Sequence, residues 1–298
     1  MKAEGESAPV GELSWADSRK LVTWPPQASP MSTGQPQYSG SVPENYERYM
    51  APVMFRPFAE SMATRVENLN PLRVLELACG TGAVTRCLAA ALPPETRLVA
   101  TDLSQDMLQI ARQTLRISAP IEWRMADACA LPFDDGSFDA IVCQFGVMSF
   151  PDKSAALAEA IRALSPGGHL LYSAWGDLAS NPIFHTVEET LTAMFPEEET
   201  PFMPTPLSMS NPELHRELLK SAGFGAILVE EECHSIGPHA PSSLAAGFVY
   251  GTPLGPYLRD QGYDLDKIYS ALAGGFASTL GDPMFCTMKA VVCYGTKP

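Results

Sequence analysis

The alternation of short apolar runs with helix-patterned stretches is the feature that most constrains how this chain folds. Five strand-like runs occur in its first part, at residues 73–77, 97–101, 121–125, 138–144 and 169–174. Most of the stretches between them carry apolar residues at helical spacing, and this βαβ rhythm predicts a parallel sheet covered by helices. Two later runs, at about 226–232 and 286–294, are predicted to complete the sheet.

The remaining stretches differ in composition. Residues 1–37 are crowded with Pro, Gly and Ser and show no periodicity, so we expect a flexible N-terminal extension ahead of a domain at 38–298. Two long insertions, at about 176–210 and 236–283, are rich in Pro, Phe and Met. Structureless loops of that length are uncommon, so we predict helical caps over the sheet edge.

Residues 43–68 precede the first strand and carry apolar side chains at helical spacing. Pro52 and Pro57 interrupt this pattern. Proline lacks the N–H that a helix interior needs, so the sequence predicts a series of short helices here.

The net charge and the cysteine spacing exclude several classes of partner and site. Lys and Arg number 20 against 34 Asp and Glu, and the net charge of −14 disfavours nucleic acid and anionic lipid. No apolar run is long enough for membrane insertion and no signal segment is recognisable, so we expect a cytoplasmic protein with a small-molecule partner. The seven cysteines form no C-x-x-C pair, which predicts neither a zinc site nor a disulfide framework.

The string VLELACGTG at 74–82 joins a strand directly to a glycine-bearing turn and a helix. Gly80 and Gly82 allow a ligand to approach the backbone, or they simply pack a helix tightly on the sheet. Asp102 ends the next strand 20 residues after Gly82, the spacing at which a carboxylate reaches ribose hydroxyls; alternatively it caps the following helix. Thr85 replaces the last glycine of G-x-G-x-x-G, so the choice between NAD and another adenosyl ligand stays open at this point.

Four strings in order carry a family resemblance: LELACGTG, VATDLSQDML, ADACALPFDDGSFDAIVCQFGVMSF and ALSPGGHLLYSAW. Together they resemble the motifs of class I S-adenosylmethionine-dependent methyltransferases of the ubiquinone/menaquinone-biosynthesis type, over about residues 38–298. The resemblance implies an α/β fold, a Rossmann-like seven-stranded sheet whose last strand is antiparallel, with helical cap insertions. It also implies transfer of a methyl group to a small-molecule acceptor by in-line displacement, with S-adenosyl-L-homocysteine as product.

The same resemblance implies a set of cofactor-binding residues. They are Tyr46, Glu76, Ala78, Gly80, Gly82, Asp102, Leu103, Met107, Asp127, Ala128, Gln144 and Phe145. By the resemblance, Glu76 lies near the methionine amino end and Asp102 on the ribose hydroxyls. Asp127, with Ala128, lies at the adenine edge, and Gln144 and Phe145 lie beside the sulfonium.

The other implied positions follow the same pattern. Ala78, Gly80 and Gly82 wrap the methionine and ribose, and Leu103 and Met107 pack near the adenine. Ala78 is a departure, since many family members have glycine there. Tyr46 and Tyr49 belong to a helical region that closes over the donor in similar enzymes, although both rings also fit core packing.

The charge of this region favours the same ligand. S-adenosylmethionine carries a sulfonium cation, whereas a pyrophosphate calls for cationic groups. No Arg or Lys lies between Val74 and Arg86, while Glu76, Asp102 and Asp127 are acidic. Two alternatives remain: a NAD(P)-dependent oxidoreductase on a related sheet, and a non-catalytic module that binds S-adenosylmethionine.

The catalytic residues are less well defined. Methyl transfer from sulfur needs no metal, and a base helps with some acceptors. His185, after the fifth strand, is the candidate base, with a packing or capping role as its alternative; His234 and His239 are weaker candidates and His169 is expected to be structural. Six apolar or aromatic residues in the insertions either line an acceptor pocket or form the core of the cap: Phe184, Phe195, Phe202, Met203, Phe248 and Tyr250.

Overall fold

The computed structural model describes residues 38–116, 120–196 and 204–298. The extension predicted at residues 1–37 lies outside the described residues, as do Phe202 and Met203.

Seven strands form one mixed sheet in the described part of the chain. They are β1 (Arg73–Glu76), β2 (Arg97–Asp102), β3 (Ile121–Met125), β4 (Phe138–Gln144), β5 (Leu164–Trp175), β6 (Gly225–His239) and β7 (Met284–Thr296). Their order is β3-β2-β1-β4-β5-β7-β6, and β7 runs antiparallel to both of its neighbours while the other pairs are parallel. The Rossmann-like seven-stranded sheet with an antiparallel last strand is confirmed.

Helices connect the strands and form the caps. They are α1 (Val42–Asn45), a π-helical segment (Tyr46–Phe55), α2 (Arg56–Glu67), α3 (Ala83–Ala91), α4 (Gln105–Thr114), α5 (Lys153–Ala163), α6 (Pro182–Met194), α7 (Pro204–Leu207), α8 (Pro212–Ser221), α9 (Pro241–Tyr250), α10 (Leu254–Asp260) and α11 (Leu265–Leu280). Ser104 caps α4, because its Oγ accepts a hydrogen bond from the N–H of Met107 at 3.2 Å. None of the described helices combines the length and apolar character that crossing a membrane demands.

The two predicted breaks before the first strand are wrong, since residues 42–67 form one continuous helical run. Pro52 lies inside the π-helical segment, and Pro57 is in the first turn of α2. A proline in the first turn costs no hydrogen bond, because that N–H has no partner within the helix anyway. Pro52 lies within a stretch that already follows the π-helical pattern from Tyr46, and the run does not end there.

The last two strands are longer than predicted. β6 continues to His239 and β7 begins at Met284, so the second cap lies between them at 240–283 instead of 236–283. The two strands pair with each other along this extension, as shown by the His234–Met288 and His239–Met284 pairs. β5 ends at Trp175, paired with Ala290, so the β6–β7 ribbon extends past the carboxyl end of β5.

The sheet is buried on both faces, as the AIVC run at 140–143 predicts. On one face, Val74, Ala140, Val142 and Leu171 pack against side chains of α2 and α3. On the other face, Leu75, Ile141 and Tyr172 belong to the core that extends to α5, α8 and the cap helices. The carboxyl edge of the parallel strands is therefore supported by a packed layer on each face.

His215 of α8 is buried in the second layer and suggests a pH test of stability. Its Nε2 lies 2.7 Å from the carbonyl of Met209, so it carries the proton, and Nδ1 accepts from the Tyr172 hydroxyl at 3.1 Å. Burial lowers the pKa of His215, although the Met209 bond opposes this. A base with a lowered folded-state pKa stabilises the protein above the unfolded pKa, about 6.5, and this contribution is lost as the pH falls.

We therefore expect the free energy of unfolding to decrease as the pH drops below about 6.5, by more in the wild type than in His215→Gln. Glutamine keeps one donor and one acceptor but does not titrate. Urea denaturation at a series of pH values measures the difference. Parallel curves for the two proteins would contradict the assignment.

Candidate active site

The turn between β1 and α3 has an unusual backbone. Ala78, Gly80 and Gly82 have φ values of 50°, 55° and 83°, all in the left-handed region. This explains why glycine suits position 78, since alanine is strained there. The N–H of Cys79 binds the carbonyl of Thr101 at 2.9 Å, so the turn is fixed to the end of β2.

Asp102 is the centre of this edge. Its two carboxylate oxygens accept hydrogen bonds from the N–H groups of Gly80 and Ser104, each at 2.8 Å. Burial raises the pKa of Asp102, and these N–H bonds partly offset the rise. A carboxylate has about four acceptor positions, so each oxygen keeps one for a ligand. Asp102 is thereby a fixed acceptor suited to two neighbouring hydroxyls.

An apolar platform lies beside Asp102. Leu103 is 60% exposed and Met125, the register partner of Asp102 on β3, is 59% exposed. Met107 is buried in α4 below them. Large exposed apolar side chains at one edge are typical of a ligand site. Met125 was not predicted, since its position next to Asp102 depends on the strand order.

Two further predicted residues follow β3. Asp127 Oδ1 accepts a hydrogen bond from the N–H of Cys129 at 2.8 Å, and Asp127 forms an isolated bridge with Ala130. Ala128 is partly buried against the main core. The loop is thus held at the same edge as Leu103 and Met125.

Glu76, at the end of β1, is 2% exposed. Thr85 Oγ1 donates to its Oε2 at 2.6 Å, which explains why Thr85 is not a glycine. Burial raises the pKa of Glu76 to about 8, and the nearby charge of Asp102 adds to the rise. A buried acid with such a pKa responds strongly to a cation beside it.

The start of the described chain lies over this edge. Ser104 Oγ donates to the carbonyl of Tyr38 at 2.7 Å, and the N–H of Gly40 donates to Asp106 at 3.1 Å. The rings of Tyr38 and Tyr46 meet edge-on at 5.9 Å. Burial, with the charge of Asp102 added, raises the pKa of Tyr38 to about 12. Tyr38 was missed because no periodic pattern surrounds it.

An aromatic wall continues from Tyr46 to the end of β5. Tyr46 stacks on Phe55 at 5.2 Å, and Phe145 stacks on Trp175 at 3.8 Å with the ring planes 9° apart. Phe55 and Phe58 bridge these pairs, with centroids 5.7 and 5.3 Å from Phe145. Phe145 has a φ of 53°, a strained conformation that often marks a functional site.

Gln144 connects this wall to β4. Its Nε2 donates to the carbonyl of Phe55 at 3.2 Å, while its Oε1 is buried without a partner among the described residues. Ser173, its register partner on β5, has a hydroxyl in the same condition. Buried polar atoms usually find partners, so two adjacent exceptions at this edge indicate a ligand-binding region.

His185 does not join these residues through any described contact. It lies on α6 with its side chain 47% exposed, 3.2 Å from Glu189 on the same helix. Phe184 and Phe248 are buried in the main core, and Phe184 packs edge-on against Trp175 at 5.2 Å. Phe195 contacts Tyr263, and Tyr250 lies near Tyr269 in the same cap.

Comparison with known proteins agrees with this geometry. The family model described as "Methyltransferase domain" matches residues 74–168. The demethylmenaquinone methyltransferase of Lactococcus lactis subsp. lactis is 34% identical over 137 residues, which are 44% of this chain and 54% of that protein. The ubiquinone/menaquinone biosynthesis C-methyltransferase UbiE of Methylobacterium nodulans is 39% identical over 111 residues, 37% of this chain and 44% of that protein. The chain thus spans about half the length of these relatives.

Solved structures show the same fold. The phosphoethanolamine N-methyltransferase 2 of Haemonchus contortus in complex with S-adenosyl-L-methionine aligns with a TM-score of 0.55 and 19% identity, covering 88% of this chain and 58% of that chain. A possible histamine N-methyltransferase from Thermotoga maritima aligns with a TM-score of 0.51 and 20% identity, covering 86% and 96%. Residues 74–168 thus match a methyltransferase-domain model, and the described chain shares the Rossmann-like fold of these solved structures.

Proposed function

We propose that this protein transfers a methyl group from S-adenosylmethionine to a small-molecule acceptor. The observation that carries the proposal is Asp102, whose two oxygens are fixed by Gly80 and Ser104 at the glycine turn. Beside it, Leu103 and Met125 expose the apolar surface that a purine needs. One edge of the sheet therefore offers both halves of an adenosine site.

The other site residues fit the remaining parts of this ligand. When bound, S-adenosylmethionine supplies a methyl group on a positively charged sulfur. Glu76 is an acid for the ammonium end, and the faces of Tyr46 and Phe145 are suited to a sulfonium, a contact worth about 0.5–2 kcal/mol. The aromatic wall also excludes water, which favours the attack of the acceptor on the methyl carbon of the donor.

A dinucleotide fits less well. In a dinucleotide site, the third glycine permits close packing of helix on strand near the pyrophosphate. Here that position is Thr85, whose hydroxyl binds Glu76 at 2.6 Å. A carboxyl group, and not a cationic side chain, lies at this point, so a pyrophosphate gains no favourable charge from it. The NAD(P) alternative therefore has no supporting contact among the described residues of this turn.

The acceptor class is proposed from two observations. The relatives' names specify quinone-type substrates. In this chain, Phe145 is partly exposed and stacks on the buried Trp175, so its outer face offers a flat apolar surface to a planar ring. We therefore infer a hydroxylated aromatic ring, such as a quinol or phenol, as the acceptor.

Binding and transfer together test the function. Calorimetry with S-adenosylmethionine, S-adenosylhomocysteine, NADH and NADPH is expected to show micromolar binding of the first two. Methyl-labelled donor incubated with a naphthoquinol, a benzoquinol and a simple phenol is expected to label at least one of them. Binding of NADH instead would support the oxidoreductase. Donor binding without transfer to these compounds or to a small-molecule extract would indicate the non-catalytic module.

The raised pKa of Glu76 predicts proton release on donor binding. At pH 7, below its pKa of about 8, this carboxyl group is mainly protonated. A cationic ammonium beside it favours the charged form, so binding should release up to about one proton per site. Calorimetry in buffers of different ionisation enthalpy measures that number. The release should vanish in Glu76→Gln and decline above about pH 9; an unchanged release in the variant would contradict the assignment.

A further inference from the structure

His234, a weaker candidate base than His185 in the sequence analysis, lies beside the aromatic wall and is held by a carboxylate. Its Nε2 is hydrogen-bonded to Glu232 Oε1 at 2.5 Å. Since a carboxylate only accepts, Nε2 carries the proton and Nδ1 presents a lone pair. Among the described residues, no hydrogen bond to Nδ1 is formed. In many enzymes a carboxylate orients a histidine ring in this way, and the free ring nitrogen then acts as a base.

Glu232 is itself held in place. Arg65 of α2 lies 3.2 Å from Glu232 Oε2 and 2.6 Å from Glu230 Oε1. Burial acts to raise the pKa of Glu232, but hydrogen bonds from Ser61 and His234 and the charge of Arg65 lower it below its usual value. Glu232 therefore stays ionised, as a residue that orients an imidazole must. The titratable and charged groups facing His234 are thus Glu232 and, behind it, Arg65 and Glu230.

His234 lies next to the aromatic wall that is proposed to bind the acceptor. It pairs with Met288 on the part of the β6–β7 ribbon that extends past Trp175 at the end of β5. Phe58 touches the His234 ring at 4.6 Å and the rings of Phe145 and Trp175 at 5.3 Å each. One aromatic ring thus connects the imidazole to the stacked pair. His234 is 27% exposed, so its ring is accessible.

The other histidines lack these features. Both nitrogens of His215 are bonded in the core, and His169 contacts Tyr294 and Thr296 on β7. His185 has a carboxylate partner, but that pair lies on an exposed face of α6. Only His234, within the described chain, combines a braced carboxylate with contact to the aromatic wall.

We propose that His234 is the base that takes the proton from the methyl acceptor, oriented by Glu232 and Arg65. This inference rests on the proposed function. The acceptor gives its O–H proton to Nδ1, and an electron pair of the resulting phenolate forms the new bond to the methyl carbon, either from the oxygen or from a ring carbon that then loses its own proton. The electrons of the broken sulfur–methyl bond stay on sulfur as the neutral thioether. The imidazolium then loses its proton to solvent, so charge and atoms balance.

The test compares pH profiles of kcat for transfer to the quinol and phenol panel. We expect His234→Gln to lower kcat on the order of 100-fold or more and to remove the fall in kcat at low pH that protonation of a general base causes. Glu232→Gln should show a smaller loss in the same direction. Donor binding by calorimetry should change less than about twofold, since both substitutions are on the proposed acceptor side. Imidazole added to His234→Ala should restore part of the rate.

The matched control is His239→Gln, five residues further along the same strand, which is expected to keep the wild-type profile. A purely structural role for His234 predicts lower thermal stability with an unchanged pH profile and no imidazole rescue, and that result overturns the proposal. Loss of the ionisation in His185→Gln instead would also overturn it. If the wild type binds the donor but methylates nothing, the proposed function fails and this inference fails with it.

Discussion

Asp102→Ala is expected to weaken binding of S-adenosylmethionine on the order of 10- to 100-fold. Charge-assisted hydrogen bonds contribute about 1.5–3 kcal/mol, and the mutation removes the acceptor for two ligand hydroxyls. It also frees the N–H groups of Gly80 and Ser104, which the carboxylate now fixes at 2.8 Å. Both effects act on the same ligand, so the loss should be large. Calorimetry with donor and demethylated product measures it.

Asp135→Ala is the matched control for Asp102→Ala. The Asp135 side chain is 80% exposed and forms an ion pair with Arg162 of α5. Asp135 lies in the loop that precedes β4, at the opposite end of that strand from the candidate site. Removing this acid changes the net charge equally but should leave donor affinity within about twofold, since exposed ion pairs contribute little. Equal weakening by both variants would show that overall charge, and not Asp102, controls binding.

The part of the site that sequence predicted best depends on local geometry. A strand, a tight turn and a helix are neighbours in the chain, so Gly80 and Gly82 must lie at the strand end. Asp102 follows from the rule that parallel strands end at a common edge. Ala78, named as a departure from the family, has a φ of 50°, and this confirms that its position favours glycine.

The parts that sequence missed depend on long-range packing. Met125 reaches Asp102 only because β3 pairs with β2, and Tyr38 reaches Ser104 across 66 residues of chain. The π-helical segment at Tyr46–Phe55 was not predicted, because apolar spacing alone does not distinguish a π-helix from an α-helix. Likewise, Arg65 of α2 donates a hydrogen bond to Glu232, 167 residues later in the chain. No local spacing rule predicts this contact, which holds the carboxylate partner of His234.

The aromatic wall adds a second kind of constraint, since it must hold Phe145 in a strained backbone conformation. A left-handed conformation at a non-glycine residue costs about 1–3 kcal/mol and persists only where surrounding packing enforces it. Trp175, 2% exposed and stacked on Phe145 at 3.8 Å, is the main candidate for that enforcement. Removing Trp175 therefore affects both the core and the site.

Trp175→Ala is expected to lower the free energy of unfolding by about 3–5 kcal/mol, the usual cost of deleting a buried tryptophan side chain. Methyl transfer should fall further than the folded fraction explains, because Phe145 loses its stacking partner. Trp175→Phe keeps an aromatic face and should recover most of both properties. Trp123→Ala, at a half-buried position on β3, should lose less stability and keep transfer by the folded protein. Urea denaturation and transfer assays on the same samples separate the two effects; if activity follows the folded fraction alone, the wall supports the fold without shaping the acceptor site.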